Sequence, residues 1–158
     1  NKNVCLRNIE LMYEKAKRHK LRFRPHFKTH QSLEIGHWFR NLGIEQITVS
    51  SLTMAKFFAA DGWKDITVAV PFNILETEIL NDLISTTTIN VVVDNLDAVE
   101  QLAKSVELHA GVYVKISTGY NRSGISSNAI PAIEHMVRQI NKEPNLSFLG
   151  FLTHLSKN

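Results

Sequence analysis

The sequence predicts an α/β protein built as an incomplete (β/α)8 TIM barrel, with about six parallel strands and intervening helices. Three observations carry that expectation. Short β-branched runs alternate with longer amphipathic stretches, which is the pattern of βαβ units around a parallel sheet. Expected strand ends fall at residues 28, 50, 70, 94 and 117, in steps of 22, 20, 24 and 23 residues, each holding a strand, a helix and short loops. The 158 residues then hold six strands, whereas a closed barrel has eight and runs to ~250 residues. The period alone is shared with an open doubly wound sheet, so that architecture stays open at this point.

An opening helix is expected over about Asn8 to His19, with Ile9, Met12 and Ala16 on one face. A strand from Arg22 to Lys28 follows. The helix from Ser32 to Leu42 stops at Gly43 and that from Thr53 to Ala60 stops at Gly62, because glycine accepts the left-handed conformation that ends a helix. Strands from Gln46 to Ser50 and from Asp65 to Val70 are interleaved with them. Asn73 with Glu76 reads as a capping box for the next helix, and Asp94 or Asn95 as the cap of the one after the strand Ile89 to Asp94. A strand from Gly111 to Ser117 leads to a helix over about Asn128 to Asn141, with Pro131 in its first turn and Pro144 beyond its end. The last strand is expected from Ser147 to His154.

Composition narrows the function. With 44% apolar and 21% charged residues the chain has an ordinary globular core, and a net charge of +3 marks neither a nucleic-acid nor a membrane surface. The single cysteine, Cys5, excludes an internal disulfide framework and a multi-cysteine zinc site, and suits a reducing compartment. No apolar run approaches the ~20 residues of a membrane span, so a cytoplasmic protein is expected. The chain starts at Asn1 without an initiator methionine and stops at Asn158 after an apolar run, which reads as a fragment with open sheet edges prone to association. There is no GxSxG elbow, no P-loop and no GxGxxG after the first strand, which argues against a hydrolase of that type, a P-loop NTPase and a dinucleotide enzyme.

The most informative segment is Arg22-Phe23-Arg24-Pro25-His26-Phe27-Lys28-Thr29-His30. In an extended chain Phe23, Pro25 and Phe27 share one face and Arg24, His26 and Lys28 the other. A buried row of basic groups requires an anion, and Lys28 sits at the C-terminal end of its strand, where α/β folds place their sites. The competing reading is a solvated edge strand, which Pro25 favours by removing a ladder donor. Neighbouring cations and desolvation favour a neutral lysine amine, the form that attacks a carbonyl, and pyridoxal 5′-phosphate would supply both the carbonyl and the anion.

Arg24-Pro25-His26-Phe27-Lys28-Thr29-His30 closely resembles the RPHxKTH signature of the D-threonine aldolase and D-serine dehydratase family, fold-type III pyridoxal-phosphate enzymes related to the alanine racemase N-terminal barrel. Further matches run through Arg7-Asn8-Ile9 with Met12, Gln46 to Ser50 and Asp65 to Pro71, so the resemblance covers nearly the whole chain. It implies that Lys28 carries the cofactor as a Schiff base. Lys115-Ile116-Ser117-Thr118-Gly119-Tyr120-Asn121-Arg122-Ser123-Gly124 is similar to the racemase-type loop whose arginine bonds the cofactor's phenolic oxygen, which implies that role for Arg122. Gly150-Phe151-Leu152-Thr153-His154 is similar to the segment whose histidine stacks on the pyridine ring, which implies that role for His154.

His26 and His30 flank the lysine and are candidate cofactor neighbours, or supports of its loop. Where the aldolase and dehydratase branch continues THxGHxY, this chain reads Thr153-His154-Leu155-Ser156-Lys157-Asn158. No histidine pair has metal-ligand spacing, and the resemblance implies a divalent metal only through residues outside this chain. The resemblance further implies a small amino-acid substrate and a homodimeric parent protein. Residues 1–158 are accordingly expected to be part of a cofactor-binding barrel domain that lacks its C-terminal units and a following β domain. The expected activity is an amino-acid aldolase, dehydratase or racemase reaction, with the fragment itself inactive. The alternatives are a non-catalytic pyridoxal-phosphate carrier on the same barrel and a doubly wound domain holding another phosphorylated metabolite.

Overall fold

Short-range signals in the chain place most of the element ends. The computed structural model describes residues 1–119 and 122–154. Tyr120 and Asn121 of the second motif, and residues 155–158 where the third departs from its pattern, lie outside the described residues. The order is α1 (Lys2–Arg18), α2 (Leu33–Arg40), β1 (Gln46–Val49), α3 (Leu52–Ala60), β2 (Asp65–Pro71), α4 (Thr77–Ile84), β3 (Thr88–Val93), α5 (Leu96–Ser105), β4 (Ala110–Ser117), β5 (Ile125–Ser126), α6 (Ile130–Lys142) and β6 (Leu146–Thr153).

Serine and asparagine caps open several helices by accepting otherwise orphaned backbone N–H groups. Ser32 accepts from Ile35, Ser51 from Met54 and Asn95 from Ala98. Gly43 and Gly62 close α2 and α3 at φ 78° and 91°, as expected of left-handed terminators. Asn1 caps α1, which therefore begins earlier than expected. Its inner face is Ile9 with half-buried Tyr13 and Ala16, whereas Met12 is exposed, because helical spacing brings residue 13 over residue 9. The expected capping box does not form. Asn73 instead caps a one-turn 3-10 helix, Ile74–Glu76, by accepting from Leu75, and α4 starts beyond it without a side-chain cap.

Every strand pairing among the described residues is parallel. The order runs β1-β2-β3-β4, with β5 and β6 both paired to β4. Among the described residues this order does not reverse, as in a barrel and unlike a doubly wound sheet with its switch point. Ile47, Val49, Ile66, Val68, Ile89, Val91, Val93, Val112 and Val114 form one apolar core with Leu52, Phe58, Leu80, Leu102 and Met136 of the helices. The opposite, concave face carries Thr48, Asp65, Thr67, Asn90, Tyr113 and Lys115.

The strand expected from Arg22 to Lys28 is absent as a ladder. Its residues run extended and join the sheet at an isolated bridge, His26 to Thr48, where the Thr48 N–H donates to Pro25 O at 2.8 Å. Pro25 has no N–H to give, and after His26 the chain turns into a short 3-10 helix, Phe27–Thr29. The sixth strand is instead β5, a two-residue piece the hydropathy pattern does not show. The expected alternation of faces survives: Phe27 and Pro25 are buried while Lys28 is exposed.

Candidate functional site

The C-terminal mouth of the sheet is assembled from the ends of the first segment, β3, β4 and β6. Lys28 lies in the 3-10 turn rather than at a strand end. His26 makes that turn, because its Nδ1 accepts the Lys28 N–H at 3.3 Å, so a neutral ring carries its proton on Nε2. Phe27 anchors it, fully buried, with ring centroids 5.3 Å from Phe39, 5.0 Å from Phe58 and 5.2 Å from Trp63. One side chain thus points into the core while its neighbour, Lys28, stands in the open mouth.

Four of the five expected site residues come together. His26 feels the charges of both Lys28 and His154, and Arg122 and Lys28 both act on Lys115. Burial, helped by the Lys28 charge and then by His154, pushes His26 down to about 4 against an opposing hydrogen bond with the Thr48 backbone, so His26 is neutral near pH 7. Arg122 lines an open cleft of about 470 Å3 with Ser117, Gly119, Ser123, Ser126 and Ser127. Its loop is pressed onto β4: a Cβ on Gly124, which sits at φ 106°, would come within 2.9 Å of Lys115 Cγ, and the Gly124 N–H donates to Asp94 Oδ2 at 3.3 Å. Asp94 is therefore an anchor of the Arg122 loop, while Asn95 alone caps α5.

His30 is placed elsewhere. Its ring stacks over Phe39 and contacts Phe27, centroids 6.1 and 4.5 Å apart, and its Nδ1 accepts from Ser32. Its Nε2 is buried without a hydrogen-bond partner among the described residues, so His30 offers no accessible nitrogen to a ligand in the mouth. Burial holds this ring, too, below its ordinary value.

Lys115 is the residue the sequence reading passed over. It is only 4% exposed, and burial lowers its affinity for a proton, with the Arg122 charge adding to the effect and Asp94 opposing it. The signal was a lysine at an inward position of the otherwise apolar run Val112-Tyr113-Val114-Lys115-Ile116. Arg24 also differs from expectation. The anion it requires is the protein's own Asp65, whose two carboxylate oxygens accept from Arg24 Nη1 and Nη2 at 2.8 and 2.7 Å. Among the described residues no group of His, Cys, Asp and Glu is arranged to hold a metal ion, and no helix is long and apolar enough to cross a membrane.

The neutral histidines make stability depend on pH. Both are pushed below 6.5, so between about 4 and 6.5 the unfolded chain binds more protons than the folded one, and stability rises with pH across that window. Denaturant midpoints should fall as pH drops from 6.5 toward 4. His26→Asn, which keeps a short acceptor for the Lys28 N–H, should show a shallower fall; an unchanged slope would mean that His26 is not the titrating group.

Residues 3–158 match the model of the alanine racemase N-terminal domain. The chain belongs to that family. A 3-hydroxy-D-aspartate aldolase of Paracoccus denitrificans is 28% identical over 152 residues, covering 91% of this chain and 38% of the relative. A D-serine dehydratase of Dictyostelium discoideum is 28% identical over 167 residues, covering 96% and 42%. The solved D-threo-3-hydroxyaspartate dehydratase from Delftia sp. HT23 superposes with a TM-score of 0.88 at 27% identity, covering 98% of this chain and 41% of that one. This alanine racemase N-terminal domain chain thus spans about two fifths of the length of the relatives it matches. The family match and the superposition support the barrel reading of the uninterrupted strand order.

Proposed function

We propose that this chain carries the cofactor-holding lysine of a pyridoxal-phosphate-dependent enzyme of amino-acid chemistry, in the branch that cleaves or dehydrates D-3-hydroxy amino acids. The observation that carries the proposal is the exposed Lys28 amine, held by a buried Phe27 beside a neutral His26 at a mouth shared with His154, Lys115 and Arg122. The similarity to aldolases and dehydratases of such substrates supports the branch. Residues 1–158 are read as the N-terminal part of the cofactor barrel of a longer protein, in line with the share of the relatives they match.

The residues present fit this cofactor. The mouth offers a primary amine for an aldehyde, and Lys28, Lys115 and Arg122 give it an excess of positive charge over the nearby Asp94, as a phosphate and a phenolate require. When bound, pyridoxal phosphate supplies the aldehyde and a ring that takes up the electron pair left at a substrate Cα. Lys28 would contribute the amine and a base beside that carbon. Arg122 presents a planar fork of donors to an oxyanion, and His154 a flat ring at the end of β6. Neutral His26 fixes the turn without adding a positive charge beside Lys28.

The test is borohydride treatment of the full-length protein with pyridoxal phosphate, followed by peptide mass spectrometry. The expected result is one reduced attachment, on Lys28, and none in Lys28→Ala. Attachment elsewhere, or none, would overturn the reading.

A further inference from the structure

The segment that carries Lys28 lacks a strand ladder, yet it holds its place against the sheet. Side chains do what the ladder does not. Arg24 lies on the same face as His26 and Lys28, and its Nη1 donates to Ile47 O at 3.2 Å, to Asp65 O at 3.3 Å and to Asp65 Oδ1 at 2.8 Å, while Nη2 donates to Asp65 Oδ2 at 2.7 Å. The guanidinium therefore reaches across β1 to the first residue of β2. Asp65 Oδ1 also accepts from Asn90 Nδ2 of β3 at 2.9 Å, and the same amide donates to Thr67 Oγ1 at 3.3 Å. On β4, Gly111 keeps the space Asn90 needs, since a Cβ there would run into Asn90 Oδ1 and Leu149 Cδ1. One polar layer thus ties the loose segment to three strands.

We infer that Arg24 and Asp65 are positioning residues that set the height of the Lys28 turn in the mouth of the barrel. The inference deepens the proposed function, because the position it explains is that of the cofactor-holding amine. The physical reason lies in the geometry of the pair. Side chains of Arg24 and Asp65 are 19% and 27% exposed, so the ion pair is partly desolvated and bidentate, which fixes direction as well as distance. A lysine at position 24 would keep the charge but, as a point charge, would not keep the fork. From Arg24 to the isolated bridge at His26, and on to the capped turn at Lys28, the chain has no freedom to slide without breaking the pair.

The test uses the full-length protein and the variants Arg24→Met, Arg24→Lys and Asp65→Asn, with Arg22→Met as control, an exposed neighbour that makes a long 3.5 Å hydrogen bond to Gln46 Oε1 in place of a bidentate pair. The first readout needs no cofactor: amide exchange over residues 27–31, where the Lys28 N–H is held by His26 and the Gln31 N–H by Phe27 O, compared with exchange over α6. We expect exchange over residues 27–31 to rise about tenfold in Arg24→Met and Asp65→Asn with α6 within about twofold of wild type, as local rather than global opening requires. The Arg24→Lys variant should lie between, and Arg22→Met should match wild type.

The second readout is the dissociation constant of pyridoxal phosphate, expected to rise about tenfold in the same variants, as it does when only about a tenth of the molecules stay binding-competent, because the apparent constant varies as the inverse of that fraction. Exchange that rises equally everywhere, or not at all over residues 27–31, would reduce the pair to a general support of the fold and overturn the inference. If Arg24→Met does not fold, the near-isosteric Asp65→Asn and the charge-keeping Arg24→Lys decide it. Failure of the borohydride attachment in wild type would sink the cofactor reading alone, since the exchange comparison is made without cofactor.

Discussion

Replacing Phe27 with alanine is expected to cost about 3–5 kcal/mol of stability, the range for deleting a fully buried aromatic ring. Phe27 is 0% exposed and sits among the rings of Phe39, Phe58, Trp63 and His30. The packing is close on the side of α2 as well, where a Cβ on Gly36 would come within 3.2 Å of Phe27 Cε2. The rings of Phe39, Phe58, Trp63 and His30 are stiff groups that fill such a void poorly. Against a total stability of about 5–15 kcal/mol, the variant should unfold at markedly lower urea concentration. The loss should also reach the site, because Phe27 begins the turn that holds Lys28. Pyridoxal-phosphate binding by the surviving folded fraction is therefore expected to weaken. A loss below about 0.5 kcal/mol, the scale of an exposed substitution, would show that this ring is not the anchor of the turn.

Much of the fold was legible because its determinants are local. β-branched runs and the glycines at 43 and 62 mark β1 to β4 and the ends of α2 and α3 without reference to anything distant. The Arg22 to Lys28 segment shows where such reading stops. Alternation reports which way side chains face, and it faced them correctly, but it does not report whether a backbone is hydrogen-bonded to a neighbour. Pro25 was the warning, and its consequence is a single bridge in place of a ladder.

The site was legible to the extent that its chemistry lies in contiguous motifs. His26, Lys28, Arg122 and His154 came from three such motifs and converge in space. His30 belongs to the first of them, yet its ring is claimed by Phe39 from α2, a contact invisible in the motif itself. The partner of Arg24 lies 41 residues away at the start of β2, so only the sheet register could reveal that the basic row is partly neutralised from within. Burial of Lys115 likewise depends on the loop of Gly124 closing over it.

On the proposed function, truncating Lys28 to alanine in the full-length protein is expected to lower turnover of the D-3-hydroxy amino acid it accepts by roughly 10²–10⁴-fold, the range that removal of one positioned proton-transfer group produces. The loss should sit at or beyond the upper end, because the same amine is also read as the nucleophile. Two roles compete for Lys28, a reacting amine and a plain cation for a phosphate, and the substitutions separate them. If Lys28 acts only through its charge, Lys28→Arg keeps that charge and should retain most of the activity. If Lys28 reacts through its nitrogen, Lys28→Arg is as inactive as Lys28→Ala, since guanidinium stays protonated and is not a nucleophile at neutral pH. In that case a small primary amine such as methylamine should restore part of the turnover to Lys28→Ala and none to Lys28→Arg, whose bulk fills the vacated space. The exposed position of Lys28 lets such an amine enter from solvent. Full activity in Lys28→Arg would return the mouth of this barrel to an anion-binding site and remove the reacting amine from it.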